Sequence, residues 1–335
     1  MFKISNSYFF SILFCLFILL LLLIWVSLFT FSSFPLEAIT SLKALVISSE
    51  EQSIADQIVF DIRLPRALVA ILCGASLGIA GCIMQGITNN LLASPSILGI
   101  NAGSILGVAA VSTFAPWFGI LGTSTSALLG GTITWLLVMI IGKSWQSGGD
   151  STSLVLAGVA ISALCAALTK ALILLEENHT SGIMIWLAGT FAEVQWNDFY
   201  YLAPIITCSI VGAIFISPKL NLLQLGHEYA ISLGISPKKY QLIGSVLVLI
   251  IVSTTISIVG SLGFVGLVIP HMARLIIGVD HRRFMPLSIL LGACFVLLAD
   301  ILSRAIIFPM ETPAGAILAF IGAPYFVYLV RKKLA

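Results

Sequence analysis

Three arginines stand out by position. Arg63 and Arg66 open one long apolar run, and Arg304 closes another, with Asp300 one helical turn before it. A guanidinium is a planar fork of donors that takes a carboxylate bidentately. Arg304 can pair with Asp300 at i,i+4, and Arg63 and Arg66 can cap the start of a helix. A second constellation lies in about 218–240, where His227, Glu228, Tyr229 and Ala230 are followed after three residues by Gly234. Its apolar residues Leu222, Leu223, Leu225, Ala230 and Leu233, with an acidic side chain and a hinge glycine, suit a short helix that docks in a partner's groove.

Catalytic chemistry finds no such footing. His179, His227, His271 and His281 are scattered without metal-ligand spacing, and His227-Glu228 lacks the second histidine of a zinc-protease helix. No Gly-x-x-x-x-Gly-Lys-[Ser/Thr] loop occurs, so the chain is not expected to hydrolyse nucleotide by itself. The six cysteines (Cys15, Cys73, Cys82, Cys165, Cys208, Cys294) all sit in apolar runs without a Cys-x-x-Cys pair. They read as buried small hydrophobes, not as a disulfide frame or a metal site. No catalytic residue, metal or bound cofactor is expected on this chain, and the net charge of +2 gives no reason to expect nucleic acid.

The elements that must position these groups follow from composition. Of 335 residues, 59% are hydrophobic and only 9% charged, and the mean hydropathy is +1.12. A soluble domain is about 25% charged, so a soluble enzyme and a disordered scaffold are both excluded. A span needs about 20 apolar residues. Cutting at charges, prolines and polar clusters predicts ten spans near 8–31, 65–84, 96–114, 120–142, 152–175, 199–217, 241–261, 263–279, 285–306 and 312–330. The expectation is an all-α polytopic membrane protein of about ten transmembrane helices, with residues 1–335 forming one membrane domain. The first run is too long for a signal-peptide core. Residues 183–192 are apolar but too short to cross, and read as a re-entrant or interfacial helix.

Orientation follows from Lys and Arg in the loops. With the N-terminus in the cytoplasm, the inner side holds Lys3, Lys143, Lys219, Lys238, Lys239, Arg274, Arg282, Arg283, Arg331, Lys332 and Lys333, and both termini lie inside. The outer loops collect Glu37, Glu50, Glu51, Asp56, Asp61, Glu176, Glu177, Glu193, Asp198 and Glu311. Lys43 reads as a solvated loop residue and Lys170 as snorkelling from near its span's outer end. Arg63, Arg66 and Arg304 then fall at outer span ends, where positive charge is disfavoured. Small residues recur four apart at Ala70, Gly74, Gly78, Cys82 and Gly86, and again at Gly99, Gly103 and Gly107. In lipid such spacing lets helix backbones approach closely. Gly260, Gly263, Gly266 and Pro270 mark the seventh-to-eighth join as either an interrupted, pathway-lining helix or a tight turn.

Several stretches together resemble the FecCD permeases, membrane subunits of ATP-driven importers for ferric siderophores, haem and cobalamin. They are Arg63-Leu64-Pro65-Arg66, the run from Asn89 to Gly99, Leu156-Ala157-Gly158-Val159-Ala160, the run from Gly263 to His271, Leu298-Ala299-Asp300 and Gly322-Ala323-Pro324. Within the family, Ser94 to Asn101, Leu175 to His179, Trp186 to Gly189 and Pro313 to Ala316 are most like members that carry ferric citrate. The resemblance implies a cobalamin-importer-like (type II) permease fold in a bacterial inner membrane. The partners it implies are a second permease subunit, a related heteromer in preference to a homodimer, and two cytoplasmic ATPase subunits carrying ATP and Mg. An external periplasmic or lipid-anchored binding protein would deliver the ferric chelate. Arg63, Arg66 and Arg304 match family positions that salt-bridge to glutamates of the binding protein. His227, Glu228, Ala230 and Gly234 match the coupling helix on the ATPase, although many relatives have Asp where this chain has His227. The rival classes are a partner-independent secondary transporter or channel and, more distantly, a membrane enzyme.

Overall fold

The computed structural model describes residues 6–31, 54–91, 93–142, 151–175 and 180–334. Lys3, Glu37, Lys43, Glu50, Glu51, Lys143, Glu176, Glu177 and His179 lie outside the described residues. The described chain is helical: α1 (Asn6–Phe29), α2 (Leu64–Thr88), α3 (Ile100–Phe114), α4 (Gly119–Ile141), α5 (Ser151–Leu175), α6 (Thr180–Leu187), α7 (Trp196–Leu223), α8 (His227–Ser232), α9 (Pro237–Val259), α10 (Val265–Ile277), α11 (His281–Ala305) and α12 (Ala314–Leu334). Among the described residues, seven helices are long and apolar enough to cross a membrane: α1, α2 with its π-helical lead-in from Ile58, α4, α5, α7, α9 and α11. Three shorter apolar helices accompany them, α3, α10 and the Ala314–Tyr328 part of α12.

Helix α2 is the axle of the bundle. Its most apolar window is 83% buried, against 22% for α1, and it packs on α7, α9, α10 and α11. Lipid is as apolar as leucine, so no hydrophobic force drives these helices together; close backbone contact and shape must do it. A Cβ on Gly74 would stand 2.1 Å from the Gly292 carbonyl oxygen, and one on Gly292 would stand 2.2 Å from that of Gly74. Gly78 meets the Ser288 carbonyl of α11, Gly86 meets the His281 ring, and Gly81 meets Gly266 and Pro270 of α10. Helices α3 and α4 cross in the same way, Gly103 against Gly130 and Gly107 against Ser126. Hydroxyl pairs then join them to α9, Ser104 to Ser253 and Ser124 to Ser257, both at 2.9 Å and one turn apart on α9.

Several elements depart from the sequence expectation. Gly99 is not part of an α3 face: it sits between a 3-10 turn (Pro95–Leu98) and α3, with φ +70°, a conformation glycine adopts without a Cβ penalty. Helix α7 does not stop at 217 but runs through Pro218 to Leu223. Cys15 and Cys208 are exposed, while the other four cysteines are buried. An apolar run has the same composition whether a residue faces lipid or core. The 183–192 stretch forms the end of the short helix α6 and then a loop.

That loop explains the join between α9 and α10. The backbone unwinds over 260–264, with positive φ at Gly260 and Phe264. Thr190 N–H donates to the Val259 carbonyl at 3.0 Å, and Gly315 N–H donates to the Gly189 carbonyl at 2.9 Å. Asn101 Nδ2 reaches Ser261 Oγ at 3.4 Å. Irregular backbone at membrane depth survives only where protein or water satisfies it. Here the loop after α6 supplies a donor to the Val259 carbonyl beside the break, and the start of α12 is in turn bonded to that loop.

Candidate coupling and docking sites at the two ends of α2

The N-terminal end of α2 carries Arg63 and Arg66 into a buried ionic network. Arg66 donates from Nε to Asp300 Oδ1 at 2.9 Å and from Nη2 to the same oxygen at 2.8 Å. Its Nη1 donates to both oxygens of Glu311, at 2.9 and 2.8 Å. Arg304 meets Asp300 Oδ2 at 3.1 Å, and reaches the Ser27 carbonyl at 3.0 Å and the Ser27 hydroxyl at 2.8 Å. Among the described residues, Arg63 makes no ion pair. It donates to the carbonyls of Leu28 at 2.9 Å, Thr30 at 2.7 Å and Phe31 at 2.9 Å, and more distantly to Ser27. Those are the orphan acceptors of the α1 C-terminus, where a cation is favoured by both hydrogen bonding and the helix dipole.

The structure brings all three arginines together but turns them inward. Arg63, Arg66 and Arg304 are each buried, and Asp300 has no exposure. This differs from the expectation of side chains reaching out to a partner. A buried guanidinium must find acceptors, and the ends of α1 and α11, with the segment leading into α12, offer them at closer range. The i,i+4 pairing of Arg304 with Asp300 is legible from spacing. Glu311 reads in sequence only as an outer-loop charge, and nothing there pairs it with Arg66.

The C-terminal end of α2 is tied to the elements that carry α8. Asn89, in the left-handed conformation with φ 49°, donates from Nδ2 to the Leu223 carbonyl at the end of α7. Gln241 of α9 donates to the Ile87 carbonyl at 3.3 Å. Between those anchors, α8 projects with Glu228, Tyr229 and Ile231 exposed and Ala230 fully buried. His227 opens the helix. Gly234 does not act as a free hinge. The Ile235 N–H bonds to the Ala230 carbonyl at 3.0 Å and the Gly234 N–H to the Ile231 carbonyl at 2.9 Å, with Gly234 at φ +76°. That pattern is a Schellman cap, closed by the apolar contact of its flanking positions, and Ala230 and Ile235 are both buried. The small residue at 230 and the glycine at 234 therefore fix the shape of α8, leaving its aromatic and aliphatic face outward.

A cavity of about 320 Å³ opens beside the C-terminal part of α9. Its wall includes Ser112 of α3, Thr123 of α4, Trp186 of α6, Glu193 in the following loop, Asp198 of α7 and Ser257 of α9. Two carboxylates and several hydroxyls line it, with no Lys or Arg among the lining residues. An anion entering it would meet like charge.

Known proteins share this arrangement along nearly the whole chain. Residues 18–332 match the model of the FecCD transport family. The Fe(3+) dicitrate transport system permease protein FecC of Escherichia coli (strain K12) is 42% identical over 94% of this chain and 95% of its own length. The Fe(3+)-citrate import system permease protein YfmD of Bacillus subtilis (strain 168) is 36% identical, covering 88% of this chain and 86% of its own. A solved chain described as a putative metal-chelate type ABC transporter, in an inward-facing conformation, superposes with a TM-score of 0.82 at 32% identity, over 96% of this chain and 99% of that one. A helical bundle built on a glycine-lined α2, with motif stretches at both of its ends and similarity running almost end to end, has one consistent assignment: the chain belongs to the FecCD transport family.

Proposed function

We propose that this chain is the membrane-spanning permease subunit of an ATP-driven importer for iron(III) chelates, and that its cargo is ferric citrate. The observation that carries the cargo assignment is the 42% identity over 94% of the chain to a ferric dicitrate permease. A haem carrier, the Hemin transport system permease protein HmuU of Yersinia pestis, is less similar at 34% over 82% of the chain. The membrane domain works beside a second, related permease subunit in a bacterial inner membrane, with both termini in the cytoplasm. Two ATPase subunits hold ATP and Mg on the inner side, and a binding protein delivers the chelate from outside.

The geometry supports a division of labour between the two ends of α2. At the inner end, the exposed Tyr229 and Ile231 of α8 enter a groove on the ATPase, with Glu228 and the backbone shape set by Ala230 and Gly234. ATP binding moves the ATPase subunits together and pulls on α8. The pull passes to α7 and α9 and, through Asn89 and Gln241, to α2. At the outer end, Arg63, Arg66 and Arg304 lock α1, α2, α11 and the segment before α12 beneath the docking face. Ferric citrate is anionic, so it travels between the permease subunits and avoids the cavity holding Glu193 and Asp198.

The test is uptake of labelled ferric citrate in a strain deleted for its own ferric-citrate importer and complemented with the whole system. Uptake is expected to be restored and to resist excess unlabelled haem, cobalamin and hydroxamate chelates. Competition by one of those chelates in place of citrate would reassign the cargo.

A further inference from the structure

Asn221 stands in the last turn of α7, just before the chain enters α8, yet its side chain serves another helix. Its Nδ2 donates to Asp280 Oδ1 at 2.6 Å. Its Oδ1 accepts from the His281 main-chain N–H at 2.8 Å and lies 2.9 Å from His281 Nδ1. The neighbours fix the amide's orientation, because a carboxylate only accepts and a main-chain N–H only donates. His281 Nδ1 therefore carries its proton toward Asn221. Asp280 already caps α11 from within, accepting from the Arg282 N–H at 3.0 Å. Asn221 adds a second cap from a different helix, to a donor that the first turn of α11 leaves without a partner of its own.

The head of α11 is seated from its other side as well. His281 has no exposure, and its ring fills the space left by Gly86 of α2, where a Cβ would stand 2.8 Å from Nε2. Phe284 packs edge-on to the same ring, with centroids 5.4 Å apart. From this seat α11 runs to Asp300 and Arg304 of the outer ionic network, about 30 Å away at the rise of an α-helix. The ties from Asn89 to Leu223 and from Gln241 to Ile87 reach α2; Asn221 reaches α11.

We infer that Asn221 is a positioning residue for transport. It fastens the root of α8 to the head of α11, so a displacement of α8 is delivered to α11, and along it to the outer network, as well as to α2. Hydrogen-bond networks and rigid helices are the means by which such a displacement travels. This rests on the proposed importer function and adds a second arm to it.

The experiment places the complete transporter and its binding protein in proteoliposomes and reads ferric-citrate uptake and ATP hydrolysis together. Asn221→Asp sets two carboxylates against each other where an amide met Asp280. It is expected to lower uptake per ATP by about fivefold or more, the low end of coupling between sites, while hydrolysis continues. Asn221→Asp combined with Asp280→Asn exchanges the partners and restores their bond with donor and acceptor reversed. This exchange is expected to return the ratio to the wild-type value. A group needed only for folding loses uptake and hydrolysis together, with an earlier thermal transition. That result overturns the inference, as does an exchange variant that folds and stays uncoupled.

A second readout does not depend on the exchange. Nitroxides on Phe114→Cys and Ile306→Cys, exposed at the outer ends of α3 and α11, report a distance once the exposed Cys15 and Cys208 are replaced by Ser. The distance is expected to change on ATP binding in the otherwise wild-type transporter and to stay fixed in Asn221→Asp. The same change in both, or none in either, overturns the inference. Wild-type uptake matched by Asn221→Asp removes this role of Asn221 and leaves the importer standing. Absence of ATP-dependent uptake by the wild type removes the importer reading itself, and the inference with it.

Discussion

Asp300 receives two guanidinium groups, from Arg66 and Arg304, at a position with no exposure. Removing one partner of a buried pair strands the other, at a cost of about 3–5 kcal/mol. Asp300→Asn leaves two buried cations facing a neutral amide and is expected to lower stability on that scale, read as an earlier thermal transition of the detergent-solubilised protein. Arg304→Gln is expected to cost less, because Arg66 still neutralises Asp300. Equal losses in the two variants would show that Arg66 is not the principal partner. Only part of this network is legible from the chain. Arg304 and Asp300 are one turn apart, so helix periodicity alone pairs them. Arg66 and Asp300 are 234 positions apart, and only the packing of α2 on α11 brings them together. Arg63 is visible as a misplaced positive charge, but its acceptors are main-chain carbonyls, which leave no trace in side-chain type.

At the level of elements, α8 is the piece whose shape matters most. Its Schellman cap needs a residue at positive φ, and Gly234 has open space around it, with nothing within 4 Å of where a Cβ would stand. Gly234→Val therefore meets no clash; it meets backbone strain of about 1–2 kcal/mol, the general cost of a left-handed conformation for an L-residue. That strain is local to α8, so membrane insertion and assembly of the bundle are expected to survive. Uptake driven by the ATPase is expected to fall severalfold while ATP hydrolysis continues. Measuring both in the same vesicles checks this, and parallel loss of hydrolysis and uptake would place the defect elsewhere. Long apolar runs make the spans readable, but not their ends. Proline usually stops a helix in water, yet α7 passes Pro218 and continues to Leu223. The break at 260–264 carries a glycine signal, but the loop that fills it comes from residues 188–190, far away in sequence.

Across the molecule, one rod-like helix connects two ends of different chemistry. The end with the buried arginines is ionic and clamped, and the end with α8 is apolar and projecting. Glycine contacts such as Gly74 with Gly292 hold the rod against its neighbours at backbone distance, with no side chain between them to absorb a displacement. Membership of the FecCD family is readable from motif stretches, since those combine backbone-determining glycines and prolines with few alternatives. The wall of the cavity is not, because Glu193, Asp198, Ser112 and Ser257 come from separate elements. On the function proposed above, the chain is a gate moved by a motor on other subunits. Import of radiolabelled ferric citrate, measured side by side in vesicles holding this chain alone and in vesicles holding the permease pair with ATPase subunits and binding protein, decides the matter. ATP-dependent import is expected only in the complete vesicles, with neither import nor ATP hydrolysis by the chain alone; import by the chain alone would refute the external motor.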